Sequence, residues 1–294
     1  MDVIRSLLFV PGNRQNMLDR ASSVPADALI PDLEDSVPPD EKANAREIVS
    51  KNLPTLAQAG QLIFPRVNSL DTPYGWEDLK AVIGQPISGI SIGKVTSAED
   101  VRHIDALLGA IEKEKGVEVG STRLILWIEL AKAIINAFQI CDASPRVLGV
   151  AFGAEDLSAD LEVEKSEEDW QFLYARSQVA MAAKAAGVMA FASVYTNFRD
   201  QDGLVVTAKK ERLLGFRGKF AIHPSQVEPM NTVFAPSQEE IERARRIVAA
   251  FDEAQAQGRA STSLDGQMID IPVVKRAQNL LAQAEAIARK GRRT

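Results

Sequence analysis

Residues 123–129 read Arg-Leu-Ile-Leu-Trp-Ile-Glu, and residues 147–156 read Val-Leu-Gly-Val-Ala-Phe-Gly-Ala-Glu-Asp. In each stretch a short apolar run is followed by an acidic residue, Glu129 in the first and Asp156 in the second. Apolar runs of this length are typical of strands buried in a parallel sheet. The two carboxylates are therefore predicted at the carboxyl ends of consecutive strands, where oxygen ligands suit a hard divalent cation.

The same order of apolar strand, polar loop and amphipathic helix recurs through the first three-quarters of the chain. Eight apolar runs are predicted to be strands: Ser6–Val10, Ala28–Pro31, Leu62–Arg66, Gly89–Lys94, Arg123–Ile128, Val147–Phe152, Met189–Val194 and Lys219–Ile222. Apolar spacings of three and four predict helices between them, including Lys42–Ala57, Ala98–Lys115, Glu167–Ala186 and Gly203–Leu214. No Gly-x-Gly-x-x-Gly motif follows the first strand. Eight units favour an α/β fold of the (β/α)₈ barrel class over an open doubly wound sheet.

The pattern changes after Pro236. Ser237, followed by Glu240 three residues later, is typical of a capping box and predicts a helix to about Gln257. A polar loop, Arg259–Gly266, then leads towards a final helix that ends near Lys290. The chain is therefore predicted to contain a barrel over residues 1–235 and a helical lid or oligomerisation region over residues 236–294.

Composition excludes several classes of protein. The net charge of −6 argues against general nucleic-acid binding, which needs a basic face. The apolar run at residues 7–10 is too short for a signal peptide or a membrane span. Cys141 is the only cysteine and is expected to be a buried packing residue, so no intrachain disulfide can form. We expect a cytoplasmic protein with no nucleic-acid or membrane partner.

Polar residues follow each of the predicted strands in turn. In chain order they are Pro11-Gly12-Asn13, Asp32 with Glu34 and Asp35, Arg66 with Asn68, Lys94, Glu129, Asp156, Tyr195-Thr196-Asn197 and His223-Pro224. The carboxyl ends of barrel strands meet at one rim, where the active sites of such barrels lie. The charged groups among these residues are therefore predicted to form one site.

Each of these residues also has an ordinary structural interpretation. Asp32 or Asp35 could cap the helix that starts near Asp40, and Arg66 could be a structural partner of the acidic cluster rather than a substrate contact. His223 could be a packed loop histidine. With only two histidines in the chain, a His-rich zinc site is not available. A metal at this rim would rest on carboxylates, which favours Mg²⁺, with Mn²⁺ as the alternative.

Several motifs together resemble a known family. They are Arg-Ser-Leu-Leu-Phe-Val-Pro-Gly-Asn at 5–13, Asp-Leu-Glu-Asp-Ser-Val at 32–37, Arg-Val-Asn at 66–68, Gly-Ala-Glu-Asp-Leu at 153–157, Ala-Ile-His-Pro-Ser-Gln at 221–226 and Asp-Gly-Gln-Met-Ile-Asp at 265–270. The set covers nearly the whole chain. It resembles the citrate lyase β-subunit-like family of the HpcH/HpaI aldolase superfamily, which includes malyl-CoA, citramalyl-CoA and citryl-CoA lyases.

The resemblance implies a barrel with a C-terminal helical lid in a homotrimer or hexamer. It implies Mg²⁺ bound by Glu129 and Asp156, an Arg66 that faces the substrate carbonyl, and an Asp270 that the lid commonly delivers to the neighbouring subunit. It also implies that Glu34 and Asp35 belong to the network that shapes the site. Residues expected to contact CoA or substrate are Arg5, Pro11, Gly12, Asn13, Arg66, Ile222, His223 and Pro224.

The chain departs from the family pattern at three places: Leu130 after the first metal ligand, Ala192 in the seventh strand, and Arg20 where lysine is more usual. The expected reaction is Mg²⁺-dependent, reversible carbon–carbon cleavage of a 3-hydroxyacyl-CoA thioester. One alternative is a metal-dependent aldolase that acts on free oxoacids. Another is a citrate lyase β subunit that acts only with an acyl-carrier partner. Leu130 and Ala192 put the acyl substrate in question.

Overall fold

The computed structural model describes residues 3–164, 166 and 169–290. It divides into two compact units. One comprises Ile4–Asn231, and the other is formed mainly by the chain from Thr232 onward. In the part of the chain that is described, no helix is both long enough and apolar enough to cross a membrane.

The first unit is a closed barrel of parallel strands, as predicted. The strands are β1 Ser6–Pro11, β2 Ala28–Asp32, β3 Leu62–Ile63, β4 Arg66–Val67, β5 Gly89–Ile92, β6 Arg123–Ile128, β7 Val147–Phe152, β8 Met189–Ala192 and β9 Gly218–Ala221. Strand β1 pairs with both β2 and β9, which closes the sheet. Every predicted strand is present, with ends that differ by at most two residues. The third is divided into β3 and β4 at Phe64-Pro65, because proline has no N–H to donate to a neighbouring strand.

Alternate residues of the strands fill the barrel interior. Leu7, Ile30, Phe64, Ile125 and Phe220 are all buried within one apolar cluster. Such alternation follows from the two-residue period of a strand. Nearer the carboxyl ends, the rings of Phe9, Trp127 and Phe220 contact one another, with the Trp127 and Phe220 centroids 4.5 Å apart. The barrel is therefore a packed core with an aromatic layer towards one end.

Helices cover the outside of the barrel. They are α1 Gln15–Ala21, α2 Lys42–Ala57, α3 Gly75–Val82, α4 Ala98–Lys115, α5 Ala131–Ile135, α6 Ala137–Cys141, α7 Ala154–Asp160, α8 Leu173–Ala186, α9 Gln201–Leu214 and α10 Val227–Val233. The predicted bounds of α2 and α4 are confirmed. The predicted helix from Glu167 instead becomes α-helical only at Leu173, after a 3₁₀ turn, and Glu167 itself lies outside the described residues. Helix α9 begins two residues earlier than predicted because Asp200 caps it through the Gly203 amide.

The charged side chains buried on the outside of the barrel occur in matched groups. Arg146 forms two hydrogen bonds of 2.7 and 2.8 Å with the Glu112 carboxylate and also contacts Asp105. Lys219 bonds both oxygens of Glu211 at 2.7 and 2.9 Å. Burial alone raises the pKa of Glu112, but hydrogen bonds from Arg146 and from nearby amides lower it to about 2. These groups join the helical layer to the barrel, and each of the two cations is in contact with at least one carboxylate.

The second unit contains two long helices and a β-hairpin. Its elements are α11 Gln238–Ala256, β10 Thr262–Leu264, β11 Gln267–Ile269 and α12 Ile271–Lys290. The predicted capping box of Ser237 and Glu240 is confirmed. The prediction of a plain loop over Arg259–Gly266 was wrong, because Asp265 and Gly266 both have positive φ, 51° and 75°, and turn the chain into a hairpin.

Candidate metal-dependent active site

The carboxyl ends of the strands surround a cleft of about 370 Å³. Of the residues singled out from the sequence, Pro11, Asp35, Arg66, Glu129, Asp156 and Ile222 line it, together with Asp32. Asp32 ends β2 and Arg66 begins β4, where the sheet pairs the two residues directly. Glu129 immediately follows β6, and Asp156 lies in the first turn of α7, just after β7. The barrel rim thus brings the predicted charged residues together.

Arg66 is held by the acidic residues of the loop after β2. Its Nε and one terminal nitrogen each lie 2.7 Å from a different oxygen of Asp32. Its other terminal nitrogen lies 3.0 Å from both Glu34 and Asp35. The guanidinium also lies over the Phe9 ring, 4.6 Å from its centroid. Burial opposes the charge, but Asp32 raises the pKa of Arg66 far above its ordinary value, so this cation remains ionised.

Glu34 and Glu129 are buried carboxyl groups whose neighbouring cations do not offset the effect of burial. Burial, together with the charges of Asp35, Glu129 and Asp32, raises the pKa of Glu34 to about 8 against the opposing effect of Arg66. Burial and Asp156 also raise the pKa of Glu129, although Lys94 opposes this. Neither Asp32 nor Asp35 caps a helix. Pro38 and Glu41, the residues at the helix starts after this loop, have no side-chain cap bond.

Glu129, Asp156 and Lys94 form the second half of the site. The Lys94 amide donates to Glu129 Oε1 at 2.9 Å, and its ammonium lies 3.6 Å from the same oxygen while it donates to Asp156. Burial lowers the pKa of Lys94, but Glu129 and Asp156 reverse this and raise it to about 12. The sequence placed Lys94 at the rim but assigned it no role. The signal was a charged residue two positions after the end of the buried strand β5.

The space around Glu129 depends on two glycines. A Cβ at Gly93 would lie 2.6 Å from Glu129 Oε1, and one at Gly153 would lie 2.4 Å from Glu129 Cβ. Both distances are too short for a real contact, so this carboxylate occupies a recess that a larger residue would fill. Glu129 and Asp156 meet at one ammonium, which shows that both can face a single cation.

The donor set fits Mg²⁺. Among residues 3–164, 166 and 169–290 no group of three or more His, Cys, Asp or Glu side chains is arranged to hold a metal. Mg²⁺ commonly takes one or two protein carboxylates and completes its shell with waters and substrate oxygens. Glu129 and Asp156, with the cleft beside them, provide that arrangement.

A buried lysine fixes the acidic loop, and sequence reasoning missed it. Lys42, the first residue of α2, donates from its ammonium to Leu33 O, Glu34 O and Asn68 Oδ1, each at 2.8 Å. Asn68 also bonds Asp78. Lys42 thereby ties the loop after β2 to the loop after β4. Its position, eight residues after Glu34, carries no local signal that would distinguish it from a solvated helix lysine.

The remaining predicted contacts lie in different places. Arg5 precedes β1, at the opposite end of that strand from the cleft, and pairs with Asp27 through bonds of 2.7 and 3.0 Å. Gly12 lies at the rim, where its amide donates to Asp32 O at 2.8 Å, and Asn13 follows it. Asp270 lies in the second unit, where its side chain accepts from the Val273 amide at the start of α12.

The loop after β9 carries Ile222, His223 and Pro224. His223 is exposed, but its ring is tied to its own loop. Nδ1 accepts from the Ser225 amide at 3.2 Å, and the ring stacks on Phe198 with centroids 4.8 Å apart. The buried Gln226 amide holds this loop. It accepts from the Ile222 amide at 2.9 Å and donates to Tyr195 O at 2.7 Å. The Phe198–His223 stack and the loop after β9 therefore form one surface at the rim that hydrogen bonds hold in place.

A closed parallel barrel whose strand ends gather carboxylates, an arginine and a lysine around a cleft has the architecture of a barrel enzyme. Comparison with known proteins identifies the family. Residues 5–224 match the family model described as HpcH/HpaI aldolase/citrate lyase. The chain belongs to this family, as its motifs indicated, and it is an enzyme of the lyase type.

Individual relatives are similar along nearly their whole length. Citrate lyase subunit beta of Leuconostoc mesenteroides subsp. cremoris is 39% identical over 282 residues, which cover 96% of this chain and 93% of that protein. A (3S)-malyl-CoA thioesterase of Cereibacter sphaeroides is 36% identical over 289 residues, with 98% and 96% covered. Protein CitE of Mycobacterium tuberculosis, solved with magnesium, acetoacetate and coenzyme A, superimposes with a TM-score of 0.80 at 28% identity, covering 95% and 97%.

Proposed function

We propose that this protein is a Mg²⁺-dependent lyase that reversibly cleaves a 3-hydroxyacyl-CoA thioester, such as malyl-, citramalyl- or citryl-CoA. The products are an acyl-CoA and a 2-oxoacid such as glyoxylate, pyruvate or oxaloacetate. The observation that carries the proposal is the cleft itself. A carboxylate pair fit for one divalent cation shares it with a guanidinium that never loses its charge. The complex of the Mycobacterium tuberculosis relative with magnesium and coenzyme A supports the same ligands here.

The chemistry breaks the bond between the α- and β-carbons of the acyl chain. The β-hydroxyl loses its proton and becomes the carbonyl of the oxoacid, while the electron pair of the broken bond passes to the α-carbon as a thioester enolate. Glu129 and Asp156 would hold Mg²⁺, a Lewis acid for the oxygen on which charge develops. Arg66 supplies fixed donors in the same cleft, and Asp32 keeps its orientation through two hydrogen bonds.

The enolate must then take a proton at carbon. We propose Asp270 for this transfer, in line with the family motif at residues 265–270. The resemblance places such an aspartate in the barrel of a neighbouring subunit, so a homotrimer or hexamer is part of the proposal. Asp270→Ala is expected to lower kcat by about a hundredfold or more, with the Kd for CoA thioester within about twofold of wild type. An unchanged kcat would remove the residue from the chemistry.

Two relatives favour specific alternatives. The 36% identity to a (3S)-malyl-CoA thioesterase favours hydrolysis of the thioester bond. The 39% identity to a citrate lyase subunit favours an enzyme that requires further subunits, including an acyl carrier. All three reactions begin with a 3-hydroxyacyl thioester.

One assay separates these reactions. Purified protein with Mg²⁺ is given malyl-, citramalyl- and citryl-CoA and, in separate reactions, free hydroxy-oxoacids. Released oxoacid and free thiol are measured separately. Oxoacid without thiol is the expected result. Thiol without oxoacid would show a thioesterase, and activity only after an acyl-carrier partner is added would show a complex-bound subunit. Cleavage of free hydroxy-oxoacids alone would show an aldolase. The Glu129→Gln, Asp156→Asn double variant is the control and should release neither product.

A further inference from the structure

The backbone amide and the ammonium of Lys94 both lie against the carboxylate pair of Glu129 and Asp156. Its backbone amide donates to Glu129 Oε1 at 2.9 Å, and its ammonium contacts both Glu129 and Asp156. The side chain is 32% exposed, so the ammonium is not enclosed. One residue thus occupies the position between the two groups that a divalent cation would need.

The backbone of Lys94 has an unusual conformation for a lysine. Its φ of 61° lies in the left-handed region, which glycine adopts freely and other residues rarely adopt. Strained residues of this kind persist where the surroundings fix them, and they concentrate at functional sites. A glycine would satisfy the turn with less strain, so the presence of lysine indicates a role for the side chain.

Lys94 is also the natural partner for an additional anion in the cleft. Arg66 is the one basic side chain that lines the cleft in the described part of the chain. Each of its three nitrogens already contacts an acid, two of them Asp32 and the third both Glu34 and Asp35, so its charge is largely compensated. A flexible lysine that is freed from Glu129 and Asp156 could therefore reach a substrate carboxylate with a full unit of charge.

We propose that Lys94 is an internal counterion that exchanges with the metal. Its ammonium neutralises Glu129 and Asp156 in the metal-free enzyme and competes with a divalent cation for them. Once the cation binds, the ammonium turns into the cleft and binds the carboxylate of the oxoacid. The second step rests on the proposed function, whereas the competition requires only that Glu129 and Asp156 bind a cation.

The competition is tested without substrate. Mg²⁺ is titrated calorimetrically into metal-stripped wild type, Lys94→Met and Lys94→Gly. Both variants should bind Mg²⁺ about tenfold more tightly or better, since a positive charge beside the site is gone. Lys94→Gly also accommodates the left-handed backbone, so a folding defect in Lys94→Met would not confuse the result. Lys132→Met is the matched control. It removes the same charge from an exposed position in α5 and should leave the Kd for Mg²⁺ within about twofold.

The second step is tested with pyruvate as the probe at saturating Mg²⁺. Lys94→Met should bind pyruvate about tenfold more weakly even though it binds Mg²⁺ more tightly. Unchanged or weaker Mg²⁺ binding in both Lys94 variants would overturn the competition, and unchanged pyruvate binding would overturn the contact with the oxoacid. If wild type bound no oxoacid, both that contact and the proposed function would fail, and the Mg²⁺ titration would still decide the competition.

Discussion

Buried charged side chains are arranged differently on the outside of the barrel wall and at the rim formed by the carboxyl ends of the strands. Outside the wall, Arg146 faces Glu112 and Asp105, and Lys219 faces Glu211, so each of these two cations contacts at least one acid. At the rim, the charges do not balance. The acids are Asp32, Glu34, Asp35, Glu129 and Asp156, and the cations in contact with them are Arg66 and Lys94.

The two regions show what burial does to a carboxylate that hydrogen-bonds closely to its cation and to one that shares its cation with other acids. Hydrogen bonds from Arg146 overcome burial and lower the pKa of Glu112 to about 2. At the rim burial prevails, and the pKa of Glu34 rises to about 8. A carboxylate that is paired with a buried cation stabilises the fold. A surplus of carboxylates lowers the free energy of unfolding unless a further cation binds to them. The surplus therefore distinguishes the functional region from the structural one.

The largest effect on stability is expected from breaking a matched group. Glu112→Gln leaves Arg146 buried with less charge compensation and should lower the free energy of unfolding by about 3–5 kcal/mol. Urea unfolding would measure this. Glu114→Gln, on the exposed face of the same helix, is the control and should change stability by less than about 0.5 kcal/mol. Equal losses of unfolding free energy in the two variants would show that the contact between Glu112 and Arg146 does not stabilise the fold.

The next largest effect is expected on catalytic activity. Asp32→Asn removes the charge that holds two nitrogens of Arg66, so the guanidinium should lose its orientation and kcat/KM should fall about a hundredfold. Asp35→Asn is the matched comparison, because Asp35 is largely exposed and makes one contact of 3.0 Å. Steady-state kinetics of both should show a much smaller loss for Asp35→Asn. A similar loss in both would mean that total charge, rather than orientation, matters.

A pH series should show a moderate effect in the same matched group. The pKa of Glu112 is about 2 in the folded chain and near its ordinary 4.5 when unfolded. The lowered value means that its contribution is fully present above about pH 4.5 and is lost as the pH falls towards 2. The difference in unfolding free energy between wild type and Glu112→Gln should therefore narrow over that range. A constant difference would contradict the assignment.

The smallest effect on the free energy of unfolding is expected at the rim, and its sign is opposite to that of Glu112→Gln. Glu34→Gln takes a carboxylate out of a region with surplus acid, so the metal-free protein should unfold at equal or higher free energy, by about 1 kcal/mol at most. The same urea experiment that records a loss for Glu112→Gln would record this gain. A loss of 3 kcal/mol or more at Glu34 would erase the distinction between the two regions.

Much of this arrangement could be predicted from sequence, because each buried parallel strand is a continuous apolar run. That pattern located the strand ends and therefore Glu129, Asp156 and Arg66. It could not decide which of three acids within four residues accepts two hydrogen bonds from Arg66, since that depends on the register that sets Asp32 beside it. The left-handed backbone conformation of Lys94 could not be predicted, because the amino-acid sequence around it contains no signal for it. The hairpin at 262–269 was missed although Asp-Gly is a strong turn signal, because its strands are only three residues long and too short to show an alternating pattern.

The aromatic layer below the cleft has an optical consequence. Trp127 is 5% exposed, and its ring lies 5.9 Å from the guanidinium carbon of Arg66. The other two tryptophans, Trp76 and Trp170, are 41% and 67% exposed, so their emission lies at longer wavelengths in water. The blue edge of the intrinsic fluorescence therefore belongs mainly to Trp127. The enzyme carries its own spectroscopic reporter in the wall of the cleft where we propose that ligands bind.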